Sequence, residues 1–103
     1  MALELRPTCE HCNKALPPAS TEARICSFEC TFCAACVETV LGNVCPTCGG
    51  GFMPRPVRPA RNWRGDNWTG ACPPSRTVKH RPVVAAVHAQ FSEVIREIAP
   101  ENR

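Results

Sequence analysis

The chain is short of large apolar side chains where a core would need them. Residues 1–51 offer Leu3, Leu5, Leu16, Ile25, Phe28, Phe32, Val37, Val40, Leu41 and Val44, and little else of that size. A segment with so few cannot bury enough surface to fold unaided. That excludes an ordinary hydrophobic-core domain and calls for covalent or metal cross-links. An export signal is also lacking, since the chain opens Met1-Ala2-Leu3-Glu4-Leu5-Arg6-Pro7 without an apolar stretch. No run approaches transmembrane length. Neither a nucleophile beside a base nor a paired acid and base stands out, so the chain is expected not to be an enzyme.

Cysteine, by contrast, is abundant: eight of nine fall into four close pairs, Cys9/Cys12, Cys26/Cys30, Cys33/Cys36 and Cys45/Cys48. Three pairs have a two-residue gap and one has a three-residue gap. Thiolates at that spacing can turn both sulfurs toward one tetrahedral ion about 2.3 Å away, so two pairs make a closed four-cysteine site. Eight ligands make two such sites, with zinc the expected metal. A closed site has no free coordination position and folds the chain instead of doing chemistry. Disulfides compete as an explanation, but the cysteine count is odd and no export signal accompanies it. A reducing cytoplasm is therefore the expected compartment.

Charge divides the chain. Residues 1–51 carry three cationic against five anionic side chains, a net −2, and residues 52–103 carry nine against four, a net +5. Four thiolates around a dication leave −2 per site, so metal loading makes the first half more acidic still. Nucleic acid would be repelled by that half and attracted by the other.

Three parts follow from this reading: a zinc-binding domain at 1–51, a basic Pro/Arg-rich linker at 52–81 and an amphipathic helix at 82–99. A short strand is expected at Leu3–Leu5 and a short helix after Cys36, with Val37, Val40 and Leu41 on one face and Gly42 as its cap. Arg55, Arg58, Arg61 and Arg64 recur every third residue, which would line one edge of a polyproline II segment. Val84, Val87, Phe91, Val94, Ile95 and Ile98 follow helical spacing until Pro100 stops it. That stripe needs a cover, and a second copy or a partner is favoured over the chain's own metal domain.

Two groupings of the cysteines are possible. In the sequential one, Cys9, Cys12, Cys26 and Cys30 share an ion. In the interleaved one, Cys9, Cys12, Cys33 and Cys36 form site 1, and Cys26, Cys30, Cys45 and Cys48 form site 2. Spacing favours interleaving, because Cys30 and Cys33 are three apart and sequential sites would abut with almost no core between them. The pattern C-x2-C-x13-C-x3-C-x2-C-x2-C-x8-C-x2-C resembles the RING finger cross-brace in all-cysteine form. Its most RING-like stretches are Phe32-Cys33-Ala34-Ala35-Cys36-Val37 and Cys45-Pro46-Thr47-Cys48. From about Leu3 to Pro59 the chain also looks like a family of small bacterial cysteine-rich proteins of unassigned function, including the run Glu22-Ala23-Arg24-Ile25-Cys26-Ser27-Phe28-Glu29-Cys30.

The resemblance implies a small metal-dominated fold with two interleaved zinc sites, a short hairpin and a short helix, then an extended linker and a C-terminal α-helix. RING domains are adaptors for ubiquitin-conjugating enzymes, and Pro46 keeps one element of that docking surface. Glu10, His11 and Gly49 depart from it, and the helix has no tryptophan. The expected function is a non-catalytic protein-interaction adaptor. Alternatives are a nucleic-acid-binding accessory protein acting through the basic tail and a ligase-like RING adaptor. Arg55, Arg58, Arg61, Trp63, Arg64 and Phe91 are the candidate partner contacts. His11 and His88 read as surface residues, and Cys72 as an exposed bystander.

Overall fold

A hairpin places three of the eight paired cysteines. In the computed structural model, which describes residues 2–103, β1 (Ala23–Ile25) runs antiparallel to β2 (Thr31–Cys33), with Ala23 opposite Cys33 and Ile25 opposite Thr31. The chain reverses over Cys26–Cys30. Glu29 N–H donates to Cys26 O at 3.0 Å, Cys26 N–H donates to Cys30 O at 3.2 Å, and Glu29 takes φ 67°. A tight turn ending in one left-handed residue is a common hairpin closure. β3 (Met53–Pro54) pairs with the other edge of β1, giving the sheet order β2-β1-β3.

Helix α1 (Ala34–Cys36) follows β2 directly and continues into a π-helical turn, Val37–Leu41. Gly42 closes it at φ 58°, the left-handed cap that glycine supplies without a Cβ penalty. The short helix thus stands where the sequence placed it and starts three residues earlier. The expected strand at Leu3–Leu5 is absent. That stretch is irregular, and its ordered neighbour is a bridge between Thr8 and Ala15.

Six of the thirteen buried apolar side chains among the described residues are cysteines; the largest of the rest are Phe32, Leu16, Leu41, Val44, Leu5 and Phe52. Phe32 meets Phe52 edge-on at 5.5 Å. A core so dependent on sulfur has little apolar area to hold it together, as the sequence implied.

Beyond residue 51 the chain stays with this body. Phe52 lies in the core, and Arg55 is 3 % exposed. The Arg55 guanidinium donates to Arg6 O at 2.9 Å and to Leu16 O and Pro17 O at 3.0 Å. Burial and the neighbouring Arg58 together lower its pKa. Arg55 therefore clamps the loop of residues 13–17 and is unavailable to a partner. Arg58 donates to Cys72 O and Leu3 O, both at 2.7 Å, so the arginines at every third residue do not share one free edge. Arg61, Trp63 and Arg64 are exposed.

The final segment is a strap over the cysteine-rich body. Ser75 N–H donates to Leu5 O at 3.0 Å and Arg81 N–H to Glu10 O at 2.7 Å. The helix expected over 82–99 is shorter: α2 (Ala85–Ser92), then 3-10 turns at Ile95–Glu97 and Pro100–Asn102. Tertiary contact explains the break, because the chain bends after Ser92 to return to the body. A Cβ at Gly49 would touch Ile95 Cδ1 at 3.6 Å, one at Gly51 would meet Pro100 Cγ at 2.9 Å, and Arg103 donates to Asn43 O at 2.8 Å. The helix docks in the same chain, but not by its apolar stripe. His88, 3 % exposed, faces inward and its Nε2–H donates to Leu41 O at 2.9 Å. Val84, Val87, Phe91 and Val94 stay 45–70 % exposed. His88, expected at the surface, is thus buried, and the stripe expected to need a cover is left uncovered by the chain's own metal domain.

Candidate metal centre

Each two-residue-gap pair at the ends of the core builds the same turn. In the first, Asn13 N–H donates to Cys9 O at 2.9 Å, Cys9 N–H donates to Lys14 O at 2.9 Å, and Asn13 sits at φ 63°. In the other, Gly49 N–H donates to Cys45 O at 2.8 Å, Cys45 N–H donates to Gly50 O at 2.8 Å, and Gly49 sits at φ 78°. The residue after the second cysteine must be left-handed, which asparagine tolerates and glycine favours. The remaining ligands come from regular elements. Cys33 ends β2, Cys36 lies in α1, and Cys26 and Cys30 flank the hairpin turn.

The sulfurs of Cys9, Cys12, Cys33 and Cys36 all lie within 4.8 Å of one another, and those of Cys26, Cys45 and Cys48 form a second such group. The two groups alternate along the chain. Cys30 is buried beside the second group, in contact with Cys26, Cys45 and Thr47, but falls outside its 4.8 Å set. Its hairpin explains the offset. In Cys26–Cys30 the left-handed residue Glu29 precedes the second cysteine, whereas in the other two turns the left-handed residue follows it.

This geometry suits an ion. The Cys12 and Cys33 sulfurs are 3.8 Å apart. A tetrahedron with bonds of about 2.3 Å has edges of about 3.8 Å, while a disulfide would close to about 2.05 Å. All nine cysteines are free thiols. Backbone amides point at sulfur in the second group, Phe28 N–H to Cys26 Sγ and Gly50 N–H to Cys48 Sγ, both 3.3 Å, a placement that favours thiolate. Burial pushes the Cys36 and Cys45 thiols well above their ordinary range and raises Cys30 too, with neighbouring sulfurs adding to the effect. A bound dication reverses that preference, because it replaces the missing solvation with direct charge.

Around the first group stands a polar network that the sequence reading missed. Glu10, between Cys9 and Cys12, is 3 % exposed. Its Oε2 accepts from Arg6 at 2.7 Å and from Thr31 N–H at 2.7 Å, and Arg81 approaches Oε1 at 3.5 Å. Burial works against the Arg6 guanidinium, yet Glu4 and Glu10 more than offset it and its pKa is raised. His11 is half-buried: Nδ1 accepts from Val83 N–H at 2.8 Å and its carbonyl accepts from His80 Nε2 at 3.1 Å. The one sequence signal for this network was an acidic residue between two ligands. Phe91 is 45 % exposed, and Cys72 lines a cavity of about 290 Å³ with Leu3, Leu5, Val57 and Trp68, away from both sulfur groups.

Among the described residues, no helix is long and apolar enough to cross a membrane. The profile of the family described as "Protein of unknown function (DUF1272)" matches residues 2–58, which contain both sulfur groups and the Arg55 clamp. An uncharacterized protein of Rhizobium meliloti (strain 1021) is 64% identical over 58 residues, covering 56% of this chain and 69% of that protein. No solved structure matches the chain.

Proposed function

For a chain that belongs to the DUF1272 family of cysteine-rich bacterial proteins, we propose a zinc-stabilised, non-catalytic protein-interaction module with a RING-like cross-brace. The observation that carries this reading is the convergence of Cys9, Cys12, Cys33 and Cys36 from a turn, a strand and a helix onto one sulfur cluster. Zinc fits best because closed all-thiolate tetrahedral sites are its structural preference. The second site would be completed by Cys30 beside Cys26, Cys45 and Cys48, through a small side-chain movement. The ions fold the domain, and the partner surface is the uncovered apolar side of α2 and its flanks: Val84, Val87, Phe91 and Val94. Val84, Val87 and Phe91 line one hollow with Pro46, and an uncovered apolar face of this kind suits a second copy, which would bury it symmetrically.

Elemental analysis of protein purified without chelator tests the metal reading. Two zinc ions per chain support it; one ion, or mostly iron, contradicts it. Structural zinc contributes on the order of 10–16 kcal/mol in finger peptides, so chelation should abolish the tertiary signal of residues 9–55.

A nucleic-acid reading has one observation in its favour. Trp63 is 73 % exposed between the exposed Arg61 and Arg64 in the chain, an arrangement suited to stacking and phosphate contacts. Binding to single-stranded oligonucleotides that falls steeply with salt would favour it. Against the ligase-like reading stands the strap, which lies on the first knuckle and against Pro46, the region such an enzyme would need.

A further inference from the structure

The two residues between the first pair of ligands are the strap's anchors. Glu10 O accepts from Arg81 N–H at 2.7 Å, and its carboxylate faces the Arg81 guanidinium. His11 takes Val83 N–H on Nδ1 and His80 on its carbonyl. Val83 then packs on the core, and His88 holds Leu41 O. The hydrogen bonds of residues 80–83 all run to the first knuckle, while Pro46 and Thr47 of the second knuckle only line the hollow beside Arg81, Pro82 and Val83. The strap's far end reaches that side instead, where Arg103 donates to Gly49 O at 3.3 Å.

Glu10 is tied to the hairpin, its N–H donating to Thr31 O at 3.0 Å and its carboxylate accepting from Thr31 N–H and Arg6, but the Cys9–Cys12 turn beyond it has less to keep its shape. Two backbone hydrogen bonds close it, Cys12 is exposed, and Asn13 is held at positive φ. A left-handed asparagine and two bonds near solvent are weak restraints without the sulfur anchors. The acceptors on His11 are therefore only as fixed as the site that flanks them, and the Glu10 carbonyl opens the same turn.

We propose that the first cysteine group gates the strap: an ion there holds the knuckle that seats residues 80–92, and its loss releases them. Release bares the face beneath, formed by Phe32, Val40, Leu41 and Pro46. The strap is then an intramolecular cover whose removal reports the state of one metal site. This rests on the metal reading above and adds a coupling which that reading does not require.

Amide hydrogen exchange on the zinc-loaded 103-residue chain tests it, comparing wild type with Cys12→Ser, Cys48→Ser and His11→Ala. In Cys12→Ser, exchange at Arg81, Val83 and His88 should rise roughly tenfold or more, while Cys45 and Gly49 keep wild-type protection. Cys48→Ser should leave Arg81 and Val83 protected. His11→Ala, which removes no sulfur, should speed exchange at Val83 with both ions retained by elemental analysis. Wild-type protection of Arg81 and Val83 in Cys12→Ser or in His11→Ala overturns the proposal. So does parallel loss at Cys45, Gly49 and the strap in both cysteine variants. Wild-type protein that takes up no zinc defeats the metal reading; two ions with an unresponsive strap defeats the gate alone.

Discussion

Glu10 is a carboxylate at 3 % exposure that meets Arg6, the Thr31 amide and Arg81, and it joins the lead-in, the hairpin and the strap. Removing one member of a buried ion pair leaves the other uncompensated. Glu10→Ala should therefore cost the zinc-loaded protein about 3–5 kcal/mol by chemical denaturation. The thiols give a second residue-scale expectation. Burial favours the protonated forms of Cys30, Cys36 and Cys45 in the metal-free chain, so zinc uptake must expel those protons, and affinity should fall as pH falls. Titration in weak buffer should release close to four protons per ion, and a pH-independent affinity would contradict ligation by these sulfurs. At this scale the cysteines were legible, because paired ligands are a local pattern. Glu10 and Arg55 were not, because a charged residue reads as solvated unless its buried partners, dozens of residues away for Arg55, are known.

The two knuckle turns and the Gly42 cap follow local rules and stand where spacing and turn chemistry put them. The short helix starts three residues early, and the hairpin, expected without bounds, lies at Ala23–Ile25 and Thr31–Cys33. Gly49 and Asn13 occupy equivalent left-handed places, which allows a paired test. Gly49→Ala meets Ile95 Cδ1 at an ordinary contact distance, so its cost is backbone strain alone, about 1–2 kcal/mol. Asn13→Gly should be neutral or slightly stabilising, since it relieves the same strain. Thermal unfolding of both zinc-loaded variants checks the pair, and equal destabilisation would contradict the equivalence of the two turns. The C-terminal helix was legible in kind but not in extent. Its 3–4 spacing continues to Ile98, but docking through His88 and the return of Ile95, Pro100 and Arg103 to the second knuckle end it at Ser92. Local periodicity cannot register that competition.

Over the whole molecule, the tail that reads as a linker and a free helix is a strap anchored at both ends on the cysteine-rich body. No local signal pairs residue 83 with residue 11, so this closure was invisible in the sequence. It also turns the apolar stripe outward, which makes self-association testable apart from folding. Phe91→Glu should abolish concentration-dependent dimerisation in sedimentation while leaving two ions bound and His88 docked; a wild-type chain that stays monomeric at high concentration contradicts the self-association reading. The central claim is the interleaving of two four-thiolate sites, and cadmium-113 substitution with correlation of each metal to cysteine Hβ protons tests it most directly. One cadmium should correlate with Cys9, Cys12, Cys33 and Cys36, and the other with Cys26, Cys30, Cys45 and Cys48. A single cadmium correlating with Cys9, Cys12, Cys26 and Cys30 would contradict it.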